Sequence, residues 1–416
     1  MRILLNLFFF IALAFGADGS IEVVKKVDTL PSLAIEDGTT AYDDSLKKSF
    51  FKTLVSDVNV LSFFNVDHHP YSTQFDNTSV VLENKDKEYV IRYKIFEDSD
   101  KTFNVSMKIL QKSVLVKTKN YKIKNKNLYV FVAHAMAYDL NEYMGGEPVE
   151  WMKRKVLISR LVSSGQSEIV VCDYTLTFSQ RIVKGGINLF PRWANNEQTK
   201  FYYTSLNGRR PLLKEVEIAT GKTSDILSSD GMMICSDVSA DGKKLLVTMA
   251  PEGQPDIYLY DVAVKKSTRL TTFQGIDVNG QFMSNNRVAF ISNRLGYPNL
   301  FSLTIGSNAV QQLVFSGKSN SSCSAFNDNV VYKARESSDV FEANTFNLHL
   351  ISTQNGSVRR LTANGVNEFP RFSREGDAVL YVQESSQQSS IGVIRLKFNK
   401  NFLFPLIYGK IQSIDW

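Results

Sequence analysis

Six times along the chain, and five times with a polar side chain, a residue stands directly before an apolar one in a recurring setting. Glu150, Arg192, Asp237, Gln281, Ala325 and Arg371 precede Trp151, Trp193, Val238, Phe282, Phe326 and Phe372. All but Ala325 are polar: two carboxylates, two guanidinium groups and an amide. Brought together, such groups support three chemistries. They can orient a loop of a partner, two carboxylates can act as an acid and base pair, and Glu150 with Asp237 could share a cation. They can also neutralise one another and line a wet passage that holds nothing.

Other chemistries lack their residues. The chain has four histidines. His68 and His69 are adjacent and point apart on an extended chain, His134 falls in a helical pattern, and only His349 lies among the C-terminal repeats. A metal-dependent lyase that gathers imidazoles has nothing to gather here. No G-x-S-x-G, P-loop or G-x-G-x-x-G pattern occurs, which removes the minimum residues of a serine hydrolase, a nucleotide site and a dinucleotide site. Asp98-Ser99-Asp100 lacks the rest of a calcium loop and reads as a turn. The three cysteines, Cys172, Cys235 and Cys323, form no metal framework and cannot all pair. No cofactor is expected.

What could position the six residues is a repeat. Trp193, Val238, Phe282, Phe326 and Phe372 follow one another at steps of 45, 44, 44 and 46 residues, and running the register back by 42 reaches Trp151. Each copy has a short strand ending at the apolar residue, a polar turn, then three more short runs rich in aromatic and β-branched residues, such as LLVTM (245–249), DIYLYDV (256–262) and STRLTTF (267–273). Four strands with a period in the mid-forties indicate propeller blades rather than helical repeats, whose apolar spacing would approach 3.6. One four-stranded sheet cannot bury both its faces alone, so blades lean on neighbours around a ring and the apolar seam recurs. In that arrangement the residue before each seam position faces the central channel. Cys235 and Cys323 stand three residues before their seam positions, in copies that are not adjacent, where Phe190 and Phe369 stand in two others. That register makes them buried thiols rather than a disulfide.

Residues 18–147 break the period. Leu46, Phe50, Leu54 and Val58 recur four apart after Asp43 and Asp44, predicting an amphipathic helix. Strands are predicted at 89–96, 103–110, 114–119 and 121–126, followed by a helix ending at Gly145-Gly146. Seven lysines and no acid lie between Lys108 and Lys126. They read as the solvated face of a hairpin centred on Asn120, or as a surface for an anionic envelope component. Residues 1–17, with Arg2 before an apolar run and the small residues Ala14, Gly16 and Ala17 at its end, read as a cleaved export signal, and the lack of a cysteine there argues against lipid attachment. The run is too short to span a bilayer, so a soluble exported protein is expected. A net charge of +6 over 416 residues is too mild to hold nucleic acid unless concentrated on one face. The organisation expected is therefore a signal peptide (1–17), an α+β N-terminal domain (18–147) and an all-β six-bladed β-propeller (148–416).

The segment AHAMAYDLNEYMGGEP, the third repeat from VSADGKKLLVTM to STRLTTF, and RRLTANGVNEFPRFSREGDAVLY together make the chain similar, over essentially its whole length, to the TolB family of the Tol-Pal system of Gram-negative envelopes. The turn that the family usually writes Ser-Pro-Asp-Gly is Ser239-Ala240-Asp241-Gly242 here, and the next two copies depart further. The resemblance implies a non-enzymatic, monomeric adaptor of the periplasm that supports outer-membrane integrity and cell division. It would bind the peptidoglycan-associated lipoprotein Pal through the propeller, with Glu150, Arg192, Asp237, Gln281 and Arg371 as channel-mouth candidates. It would bind TolA through the mature N-terminal segment, with Ile21, Glu22, Val23 and Val24 as candidates for adding a strand to the partner's sheet. The competing expectation is a carbohydrate- or peptide-active propeller enzyme that uses channel carboxylates.

Overall fold

The computed structural model describes residues 30–307, 309–317, 319–336, 345–386 and 388–416. The export signal and Ile21 to Val24 lie outside the described residues. In the N-terminal domain, β1 (Ser32–Asp37), α1 (Asp44–Val60), β2 (Asn65–Val66), β3 (Tyr71–Ser72), β4 (Tyr89–Glu97), β5 (Phe103–Gln111), β6 (Val114–Ile123) and α2 (Tyr129–Met144) follow in order. β1 pairs in parallel with β4, and β4, β5 and β6 form an antiparallel meander. Asp43 caps α1 by accepting from the Leu46 amide at 2.7 Å. α2 stops at Gly145, whose φ of 63° is the left-handed conformation that glycine adopts without a Cβ penalty.

Two expectations change here. The run 114–126 forms one continuous strand to Ile123 rather than two, because the turn lies at Lys112 and Ser113 and Asn120 pairs with Ser106 inside the ladder. Several of the lysines also have carboxylate partners. Lys119 meets Asp139, Lys122 meets Asp98, Lys126 meets Glu97 and Lys108 meets Asp76. Charge that looks unopposed along the sequence is opposed across the fold. Among the described residues no helix is long and apolar enough to cross a membrane.

Among the described residues, the rest of the chain forms six four-stranded antiparallel blades, two of which are joined at the single pair Phe346 and Val366. The first strands of blades 2 to 6 are Asn188–Trp193, Met233–Val238, Asp277–Phe282, Asn320–Phe326 and Val366–Phe372. Blade 1 is built differently. Its outer three strands are Val156–Ser163, Gln166–Cys172 and Ser179–Val183, and its first strand is the chain's last, Lys410–Asp415. The ring closes by hydrogen bonds between the two ends of the propeller, with the last strand covering the inner edge of blade 1.

That closure corrects the register of the first copy. Trp151 lies in a 3-10 turn, Glu150–Lys153, not in an innermost strand. The sixth seam residue is Trp416, 44 residues beyond Phe372. Trp151 packs against it with ring centroids 5.4 Å apart, and one apolar cluster runs from the N-terminal sheet through Trp151 and Tyr174 to Ile414 and Trp416.

The candidate docking site: a self-paired channel and two unlike faces

Every first strand carries a β-bulge before its seam residue, at Leu189/Arg192, Cys235/Asp237, Val278/Gln281, Ser321/Cys323, Glu368/Arg371 and Ile411/Ser413. A bulge adds a residue to one strand and re-aims the side chains beyond it. At four of these sites a non-glycine residue sits in the left-handed region: Phe190 (φ 53°), Asn279 (58°), Ser322 (47°) and Phe369 (51°). This separates positions that look equivalent in the repeat. Cys235 and Cys323 are buried, whereas Phe190 and Phe369 leave the ladder and are half-buried.

The residues before the seam meet around the axis. Arg192, Asp237, Gln281, Arg371 and, from the closing strand, Asp415 line one cavity of about 530 Å³. Glu150 does not join them. It belongs to the 3-10 turn, where its Oε1 accepts from the Tyr138 hydroxyl at 3.3 Å, so the acid that replaces it in the ring is Asp415. The shared cation site suggested by Glu150 and Asp237 falls with that placement, and among the described residues no cluster of three or more His, Cys, Asp or Glu side chains could hold a metal.

The ring is largely paired within itself. The Arg192 Nη1 donates to the carbonyls of Ile414 and Pro191 at 2.9 and 2.8 Å and lies 3.8 Å from Asp415. The Arg371 Nη1 donates to Gln281 Oε1 at 2.9 Å, and its Nε lies 3.9 Å from Asp415. Arg371 belongs to blade 6 and Gln281 to blade 4, so the contact spans blade 5, whose residue at that level is Ala325. The small side chain leaves room for the guanidinium. Each acid also holds a neighbouring blade. Asp415 accepts from the Trp193 amide at 2.9 Å and Asp237 from the Phe282 amide at 2.8 Å. Burial pushes the Asp237 carboxyl up to about 7, although the Phe282 and Val238 amides and Arg192 favour its charged form. Burial likewise raises Asp415, opposed by Arg192.

The two faces of the propeller differ. Strand alternation puts the turns after the first and third strands on one side, and the cavity opens there, with Ala194 to Glu197 and Ser239 to Gly242 at its lip. The connections after the second and fourth strands lie on the other side. There Leu206, Met232, Ile276, Leu295, Phe315, Ile407 and Tyr408 are all exposed, Phe315 by 83% and Ile407 by 96%. Sequence reasoning missed this set because the loops have no shared motif. The available signal was an apolar residue in a polar connection between strands, as in Phe315 and the Ile407-Tyr408 pair.

The model of the TolB beta propeller domain matches residues 152–416. The chain is 43% identical over the full length of both chains to the Tol-Pal system protein TolB of Wolinella succinogenes. It is 36% identical to that of Helicobacter pylori strain HPAG1, over 97% of each chain. The crystal structure of TolB from Acinetobacter baumannii superposes with a TM-score of 0.75 over 93% of this chain and 97% of that one, at 18% identity. The chain belongs to the TolB family of Tol-Pal system proteins.

Proposed function

We propose that this chain is a non-enzymatic periplasmic adaptor of the Tol-Pal system. Its propeller binds Pal, its mature N-terminal segment binds TolA, and the two attachments support outer-membrane integrity and constriction at division. The observation that carries the docking reading is the exposed apolar set Leu206, Met232, Ile276, Leu295, Phe315, Ile407 and Tyr408 on one propeller face. Large side chains left in water on a common face mark a surface that another molecule covers. The channel ring supports it from below. Arg192, Asp237, Gln281 and Arg371 direct most of their hydrogen bonds to one another and to backbone, so their part is to hold the blades in register, and contact with Pal falls to the apolar loops. Ile21, Glu22, Val23 and Val24 remain the proposed TolA segment, where a β-prone stretch can add to a partner's sheet edge.

Isothermal titration of the mature chain with the soluble domain of Pal tests this. Binding is expected, and an Ile407→Asp, Phe315→Asp double variant should weaken it at least tenfold, since two buried apolar anchors contribute about 3 kcal/mol or more together. A chain starting at Leu30 should retain Pal and lose TolA. The adaptor reading fails if the native chain binds neither protein, and the surface assignment fails if the double variant binds Pal unchanged.

A further inference from the structure

A second cluster of ionisable groups lies away from the channel. α1 brings Asp57, α2 brings His134, and the turn after the third strand of blade 1 brings Asp173 and Tyr174. All four are fully buried. The His134 Nδ1 is 2.8 Å from Asp57 Oδ2 and its Nε2 is 3.3 Å from Asp173 Oδ2. The Tyr174 hydroxyl donates to the other oxygen of Asp57. Asp173 also accepts from the amides of Thr175 and Phe178, at 2.8 and 2.6 Å, and from the Thr175 hydroxyl. With both acids ionised, a carboxylate faces each ring nitrogen, both nitrogens donate, and an imidazole that donates twice is a cation; burial raises Asp57, while His134 and Tyr174 favour its charged form. A neutral ring would set a lone pair against a carboxylate oxygen inside an apolar core.

The surroundings enclose this contact. Phe131 meets the imidazole edge-on at 5.8 Å and the Phe178 ring at 5.6 Å, while Trp151 and Phe404 pack on the Tyr174 ring, each at 5.3 Å. The other titratable groups that act on the cluster are Tyr129 on α2, Cys172 beside Asp173, and Arg395 of blade 6 near Tyr174. Arg395 reaches toward the Val60 carbonyl at 3.5 Å. Other polar links between the N-terminal domain and the propeller are more exposed, among them Lys397 with Glu147, Lys400 with the Ser62 carbonyl at 3.2 Å, and the Tyr138 hydroxyl with Glu150 at 3.3 Å. The imidazole therefore sits between two buried carboxylates, one from each domain.

We propose that Asp57, His134, Asp173 and Tyr174 form a proton-dependent latch between the N-terminal domain and the propeller. While the imidazolium is present, the helical pair α1 and α2 and blade 1 open and close as one body. When its second proton leaves to solvent, two buried carboxylates face a neutral ring and the helical pair releases from the turn after Cys172. Burial works against the charged ring, but Asp57 and Asp173 outweigh it and lift the His134 value to about 9. A histidine raised above its ordinary value of about 6.5 contributes fully below that pH, and the contribution is lost as pH rises through about 9.

The latch is independent of what the propeller binds, and the native chain suffices to test it. With only four histidines, the imidazole carbon signals can be assigned by NMR. The His134 ring should remain an imidazolium through neutral pH and lose its second proton only as pH approaches about 9. Hydrogen exchange of α1 and α2, corrected for intrinsic pH dependence, should stay flat at neutral pH and rise at least tenfold through about pH 9, while blades 3 and 4 stay flat. Asp173→Asn should move that step to lower pH, and His134→Gln should abolish it, with the helices already exchanging fast at neutral pH. The proposal is overturned if the His134 ring is already neutral at pH 7, or if helices and distant blades respond to pH together. Both criteria are read on the native chain, so they stand even if His134→Gln does not fold.

Discussion

The channel ring, which lines an open cavity, and the interdomain cluster, which is fully buried, are both sets of acids and bases, and they solve the same problem in opposite ways. The ring spreads two guanidinium groups, an amide and two carboxylates over five blades, with charge separations of 3.8 and 3.9 Å and many backbone carbonyls and amides as partners. The interdomain cluster concentrates one imidazole between two carboxylates, at 2.8 and 3.3 Å, with its polar contacts fixed by few groups. Loss of one member of the ring leaves its neighbours other partners. Loss of one member of the cluster leaves an unpaired buried charge, the circumstance in which removing a single group is most costly. Redundancy suits a scaffold, and concentration suits a device that one proton can release.

The largest test removes what both regions share. Ending the chain after Gly409 deletes the closing strand, and with it Asp415 from the ring and Trp416 from the face of Trp151. Ile411, Ile414 and Trp416 are buried, so the loss is about 5–9 kcal/mol of apolar burial, comparable to the whole stability of an ordinary domain. No cooperative thermal transition should remain by circular dichroism. A truncated chain that melts sharply near the native temperature would mean that the ring holds without its closing strand.

These two regions also differ in how far the sequence displays them. The ring is periodic: Arg192, Asp237, Gln281 and Arg371 stand before seam residues at regular steps, so counting finds them. Counting failed at blade 1, where it chose Trp151 and Glu150 over Asp415 and Trp416. The chain's end joins a sheet begun some 250 residues earlier, and no local pattern records a contact of that range. The interdomain cluster has no period at all. His134 reads from the sequence as one more residue of an apolar helix, and only the packing of α1, α2 and blade 1 shows that both its nitrogens are engaged. The exposed apolar loops were equally silent, since their common face is a property of strand alternation and not of residue spacing.

Acidity separates the two regions next. Asp237 carries a folded-state value of about 7 against an ordinary 3.8, so the folded protein holds a proton there that the unfolded chain releases. Its contribution to stability is greatest below about pH 4 and declines as pH rises towards 7. His134 gives a decline in a higher window, from about 6.5 to about 9. Asp237→Asn should flatten the lower window of a urea-derived stability profile and leave the upper one in place, because the two groups belong to different clusters. A profile in which this variant changes both windows alike would show that ring and cluster titrate as one unit.

The smallest effect uses the three thiols as reporters. Burial pushes Cys172, Cys235 and Cys323 all upward, so the folded state disfavours the thiolate at all three. Cys172 directly precedes Asp173, and its sulfur contacts the Val156 carbonyl at 3.6 Å. Cys235 and Cys323 sit beside the ring, with Cys323 held against Asn279. Local opening at the interdomain cluster should expose Cys172 alone. Alkylation followed by peptide mass should therefore find Cys172 modified about tenfold faster at pH 9.5 than at pH 8 once the reagent's own pH dependence is removed, with Cys235 and Cys323 unchanged. Equal acceleration of all three would mean that the chain opens as a whole and that the contrast between a redundant ring and a releasable contact does not hold.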